Sequence, residues 1–226
     1  MILGFSMLAL RAAGRSKRVL ARALLAAACL ASATSSARSE ASGPLEPLRV
    51  AALLHTLNAE LLGNASATLT LDRWCASRQL APAGSKIVAD RVRGEDKPAD
   101  ASIRALLQVG PQEPVAYRRV RLRCGERVLS EADNWYVPAL LTPEMNRTLD
   151  TTDTSFGRVV APLDFRRETM SAKLLWSPES RSSGSPVALP RVVLQHRAVL
   201  ERADGRPFSA LVETYTSEVL GPPAQR

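Results

Sequence analysis

An α+β architecture, one antiparallel β-sheet covered by helices, is what the sequence predicts, and three observations carry it. Two pairs of strand-like segments are each joined by a tight glycine-bearing turn, Gly125-Glu126 and Asp204-Gly205. Apolar residues at helical spacing precede both pairs. A helix-start signal lies between them. Helices first, then hairpins around a helical middle, require a sheet whose apolar face is closed by helices.

Taken in order, "LRVAALLHTLNAELLG" puts Val50, Leu53, Leu54, Leu57 and Leu61 on one helical face, with Gly63 as the stop. "SATLTLDRWCASRQL" predicts a second helix, capped by Ser66 or Thr68, with Leu71, Trp74, Cys75 and Arg78 near helical spacing. Lys86 to Val92 alternates as a strand does. Val115 to Cys124 and Val128 to Val137 form the clearest hairpin. On its first arm Val120, Leu122 and Cys124 share one face, and Arg119, Arg121 and Arg123 share the other. "TPEMNRTL" begins a helix, with Thr142 as cap and Pro143 in the first turn. After the polar loop "SPESRSSGSP" come the last two strands, Val192 to Glu201 and Phe208 to Val219.

The 226 residues, 46% hydrophobic and 23% charged, suit one globular domain with an appendage. Residues 1–37 carry Arg11, Arg15, Lys17, Arg18 and Arg22 and no acid, followed by the apolar run "ALLAAACLASA" and small residues. That is the layout of an export signal, and the run is short for a membrane span, which needs about 20 apolar residues. The expected organisation is a signal peptide over 1–37, a linker over 38–47, one domain over 48–220 and a tail over 221–226, with a periplasmic or otherwise exported location. Two alternatives stay open: an uncleaved anchor, which would be the only membrane contact, and a wrongly assigned start, which would leave the protein in the cytoplasm. The five N-terminal cations account for most of the net charge of +8, and the other arginines are scattered. A phosphate-tracking surface, and with it a nucleic-acid partner, is not expected.

Outside the N-terminal segment only Cys75 and Cys124 remain, too few for a disulfide scaffold. They either pair or lie separately as small buried hydrophobes. No C-x-x-C or H-E-x-x-H occurs, and His55 and His196 lie far apart in the chain, so neither a metal nor His-based nucleophilic chemistry is indicated.

"VAYRRVRLRCGERVLSEADNWYVP", then "TSFGR", then "ADGRPFSALVET" resembles, in order and spacing, the chorismate–pyruvate lyases of ubiquinone biosynthesis, and "SATLTLDRWC" is similar to the start of that family's second helix. The resemblance covers most of residues 48–220. It implies a cofactor-free elimination of pyruvate from chorismate, leaving 4-hydroxybenzoate, or the same chemistry on another small aromatic or cyclic carboxylate in a closed pocket. Arg119 would hold the ring carboxylate and Glu213 would bond the ring hydroxyl or act as acid and base, making these two the catalytic candidates. Phe156 and Gly157, in the turn "TDTSFGR", would line the site and offer backbone N–H groups to an anion. Asn134 would contact the substrate where the family has a second arginine. The turn before Glu213 is one residue longer than the family's, and chorismate is a cytoplasmic metabolite. The resemblance therefore also implies an alternative, an exported non-catalytic binding protein for a small carboxylate, as in regulator effector domains that share the lyase sheet. A third class, an interaction protein, would have no enclosed polar pocket.

Overall fold

The computed structural model describes residues 46–178 and 188–221. The segment read as an export signal lies outside the described residues, as does most of the polar loop.

Helix α1 (Glu46–Leu62) buries Val50, Leu54, Leu57 and Leu61 and ends where the Gly63 N–H closes on the Ala59 carbonyl. Each fully buried leucine contributes roughly 1.5–3 kcal/mol. The helix starts two residues inside the stretch read as linker. Pro47 fits there because first-turn N–H groups have no helical partner to lose. Helix α2 (Ala67–Ser77) is capped by Ser66, whose Oγ accepts from the Leu69 N–H. Trp74 fixes it to the far end of the chain by donating to the Val219 carbonyl at 2.7 Å.

Strand β1 (Val88–Val92) follows, then α3 (Ala101–Leu107), capped by Asp100. The predicted hairpin is β2 (Ala116–Cys124) and β3 (Arg127–Tyr136), turning at Gly125 with φ of 55°. Thr142 caps α4 (Pro143–Thr151), as expected, and a single turn, α5 (Phe156–Val159), follows it. Strand β4 (Arg166–Leu174) has no counterpart in the sequence reading. β5 (Val192–Glu201) and β6 (Pro207–Thr216) close the fold. β6 stops before Val219 because the Thr216 hydroxyl accepts from the Glu218 N–H and starts a short 3-10 turn.

The strands form one six-stranded antiparallel sheet in the order β1-β2-β3-β6-β5-β4. This is the predicted α+β class. Val120, Leu122, Ala132 and Tyr215 pack with α1 and α2 in one apolar cluster. Residues of the opposite parity, such as Trp135 and Ala210, join Ile103 and Leu107 of α3 in a second. Cys75 and Cys124 are disulfide-bonded, tying α2 to the end of β2 across 49 residues. Closing a loop of that length is worth about 4 kcal/mol in the chain-entropy account.

Candidate functional site

Between the sheet and the helix starts lies a cavity of about 50 Å³. Its floor is the inward parity of three strands: Arg118 and Val120 of β2, Asn134 of β3, Leu211 and Glu213 of β6. Its roof is the start of α2, Ser66 to Thr68, together with Phe156 and Gly157 of α5. Gly157 has a reason to lack a side chain, since a Cβ there would approach Ser66 Oγ to 2.8 Å.

Arg118 is 2% exposed. One guanidinium nitrogen, Nη2, donates to the Thr154 carbonyl at 3.1 Å. Nε and Nη1 have no partner among the described residues, and no carboxylate pairs with the group there. Burial, with Arg91 adding to it, holds this guanidinium below its ordinary pKa. The stretch "DTTDTS" therefore serves through its backbone: the Thr154 carbonyl receives Arg118, and the Asp153 carbonyl receives the Ala89 N–H.

Glu213 faces the same cavity with its charge already met. Arg167 of β4 reaches across β5 and donates through Nη2 to Glu213 Oε2 at 2.6 Å, and the Tyr215 hydroxyl donates to the same oxygen at 3.1 Å. The Arg167 side chain is 3% exposed. Burial is the largest single influence and opposes its charge, but Glu213 and Tyr215 together outweigh it, and its pKa is raised. Burial and then Glu213 push the Tyr215 phenol well up, so it remains a donor. Behind this pair His196, in register with Glu213 and fully buried, meets Asn58 Oδ1 through Nε2 at 2.7 Å.

The cavity's remaining polar atoms are mostly donors. Arg167 Nε and Asn134 Nδ2 are buried and unpartnered among the described residues, while Asn134 Oδ1 is occupied by the Ser209 hydroxyl at 2.7 Å. The start of α2 adds its positive dipole end. Arg167 and Glu213 offset each other, so Arg118 sets the sign. The chamber suits an anion.

Of the residues expected from the sequence, Glu213, Asn134, Phe156 and Gly157 all line this cavity. Arg119 does not. Its side chain points to the other face of the sheet, where it pairs with Glu95 at 2.5 Å and Glu131 at 3.6 Å and is 35% exposed. The expected convergence of Arg119 with Glu213 is corrected by strand parity: Arg118, one residue earlier, carries the inward guanidinium. Phe156 contributes its ring, packed against Tyr136 at 5.3 Å and Phe208 at 6.3 Å. The α5 amides of Arg158 and Val159 turn back on the Ser155 carbonyl and close the single turn. Sequence reasoning missed Arg118, Arg167 and His196. For Arg118 a signal existed, because it shares the parity of Val120, Leu122 and Cys124.

Uncharacterized protein y4mC of Sinorhizobium fredii (strain NBRC 101917 / NGR234) is 58% identical to this chain over 191 residues, covering 80% of the chain and 81% of that protein. The chain belongs to the y4mC family. No known family profile matches it. Solved structures similar to this y4mC-family chain include the effector domain of PhnF from Mycobacterium smegmatis, at 17% identity over 68% of the chain and 90% of that domain, with a TM-score of 0.47. A GntR-family transcriptional regulator from Enterococcus faecalis V583 is 13% identical, covering 61% of the chain and 99% of that structure, with a TM-score of 0.41. YydK from Bacillus subtilis is 15% identical over 65% of the chain, with a TM-score of 0.41, and the match spans 66% of YydK.

Proposed function

We propose that this y4mC-family protein binds a small organic carboxylate in the cavity, with Arg118 as the clamp. The observation that carries the reading is the Arg118 guanidinium, buried with two nitrogens unpartnered among the described residues. A buried cation without a counter-ion costs several kcal/mol. A carboxylate supplies the missing charge and two acceptor oxygens for the guanidinium N–H groups that lack a partner. Asn134 Nδ2 and Arg167 Nε stand ready for further oxygens, and the Phe156 ring gives an apolar wall. Calorimetric titration of the purified domain with benzoate and 4-hydroxybenzoate is the test. Saturable binding that is lost in Arg118→Gln and kept in Arg119→Gln is expected; equal weakening in both variants would sink the reading.

A second reading, lyase chemistry on chorismate or an analogous carboxylate, is favoured by one specific observation: Glu213 shares the cavity with Arg118. In that reaction the carbon–oxygen bond to the enolpyruvyl group breaks, a ring proton leaves as the ring becomes aromatic, and the released enolpyruvate takes a proton to become pyruvate. The ring supplies the driving force, so no cofactor enters the scheme. Against it stands the engagement of Glu213 Oε2 by both Arg167 and Tyr215, which suits a fixed carboxylate better than a proton carrier. Incubation with chorismate, following pyruvate and 4-hydroxybenzoate, separates the two readings, because binding without turnover leaves only the first.

Export is part of the proposal. It is supported by the basic-then-apolar N-terminal pattern and by the Cys75–Cys124 disulfide, which suits an oxidising compartment. Intact-mass measurement of protein recovered from a native-like host should place the new N-terminus near Thr34 or Arg38; a full-length soluble product would overturn it.

A further inference from the structure

We infer that the cavity takes only the head of its ligand, and that the ligand is an amphiphilic carboxylate whose apolar chain lies in an adjoining outer groove. This rests on the reading of the cavity as an anion site. The inner space of about 50 Å³ has room for about three to five waters, enough for a carboxylate and the carbons next to it. A second hollow of about 250 Å³ abuts it, and Ala65, Ser66, Gly157 and Phe165 line both, so the two meet at that frame.

Gly157 keeps the frame open. The start of α2 and the α5 turn approach so closely there that a single added carbon would strike the capping hydroxyl of Ser66 at 2.8 Å. Beyond the frame Leu69, Ala161 and Phe165 form an apolar side of the groove, and Asn64, Arg73 and Asp164 form its polar side. Leu69 is 42% exposed and faces water along this outer groove. Arg73 lies on the same groove and donates to the Thr70 hydroxyl at 3.3 Å. From inside to outside the environments are thus cation, aromatic wall, the frame at Gly157, and a groove with one apolar side and one polar side. A small anion such as phosphate would fill the inner space and leave the Leu69–Ala161–Phe165 side wet. A carboxylate with a hydrocarbon chain would cover that side while its head meets Arg118.

The experiment is calorimetric titration of the protein, disulfide intact, with butanoate, hexanoate and octanoate. Affinity should rise about fourfold per methylene added, the gain from burying each in an apolar groove. Leu69→Asn, a change at a partly exposed helix position, should cut the gain from butanoate to octanoate several-fold. Arg118→Gln should weaken every member by a similar factor, since the head is common to all. Equal affinity along the series, with Arg118→Gln still weakening it, overturns the groove and leaves the anion site standing. A chain-length gain that Leu69→Asn leaves intact also overturns the groove. Failure of every member to bind overturns both.

Discussion

Arg167 and Glu213 form a buried ion pair across an intervening strand: Arg167 rises from edge strand β4, Glu213 from β6, and β5 runs between them. With both side chains 6% exposed or less, neither can fall back on water if the other is removed. Glu213→Ala should therefore cost about 3–5 kcal/mol of folding stability, because it strands a buried guanidinium. The double replacement Arg167→Met with Glu213→Leu should recover most of the loss. Urea unfolding of the three variants checks this. A double variant no better than Glu213→Ala would mean that the pair organises the core in a way apolar packing cannot replace.

Arg118 makes the opposite case, since its charge has no carboxylate pairing with it among the described residues. Arg118→Met should raise the melting temperature of the free protein while removing about 2–5 kcal/mol of carboxylate binding. Arg119→Ala, on the partly exposed outer face, should change either quantity by no more than about 1 kcal/mol. Thermal melts and titrations on both variants decide it; a loss of stability in Arg118→Met would show that the Thr154 carbonyl already satisfies the group.

His196 should make stability fall on mild acidification. Burial, partly opposed by Glu213 and reinforced by Arg167, lowers its pKa below the usual 6.5. Asn58 faces it from α1 and Tyr215 from β6, and neither supplies a counter-charge. The unfolded chain then binds a proton that the folded one refuses, so stability is full above about pH 6.5 and declines below it by at most about 1.4 kcal/mol per unit until the folded pKa is reached. His196→Gln should flatten the slope of unfolding free energy between pH 7.5 and pH 5.5. An unchanged slope would place the titrating group elsewhere.

The Cys75–Cys124 bond joins the helix that roofs the cavity to the strand that floors it. Cys75→Ser with Cys124→Ser should lower stability by about 2–4 kcal/mol, as should reduction of the native bond. Denaturant midpoints with and without reductant measure the effect. No difference would mean that the denatured chain gains little freedom when the loop opens.

Local regularities reached a good part of this molecule. Period-two alternation and the turns at Gly125 and Gly205 placed β2, β3, β5 and β6, and the hydroxyl caps Ser66 and Thr142 placed the starts of α2 and α4, because each is settled by interactions within a few residues. β4 was not legible: "RRETMSAKL" is an edge strand exposed along most of its length, so it carries little apolar rhythm. Glu213, Asn134, Phe156 and Gly157, which the resemblance singles out, line one cavity. The alternation of β2 is legible and still does not choose between Arg118 and Arg119, because alternation separates two faces without saying which one the cavity occupies. Only the packing of α2 and α5 over Val120 and Leu122 decides that, and it makes Arg118 the buried cation. In the same way, no local pattern could bring Arg167 to Glu213 or close Cys75 on Cys124. Those contacts depend on strand order and on where a helix lands, and a sheet fixes both through partners far away in the chain.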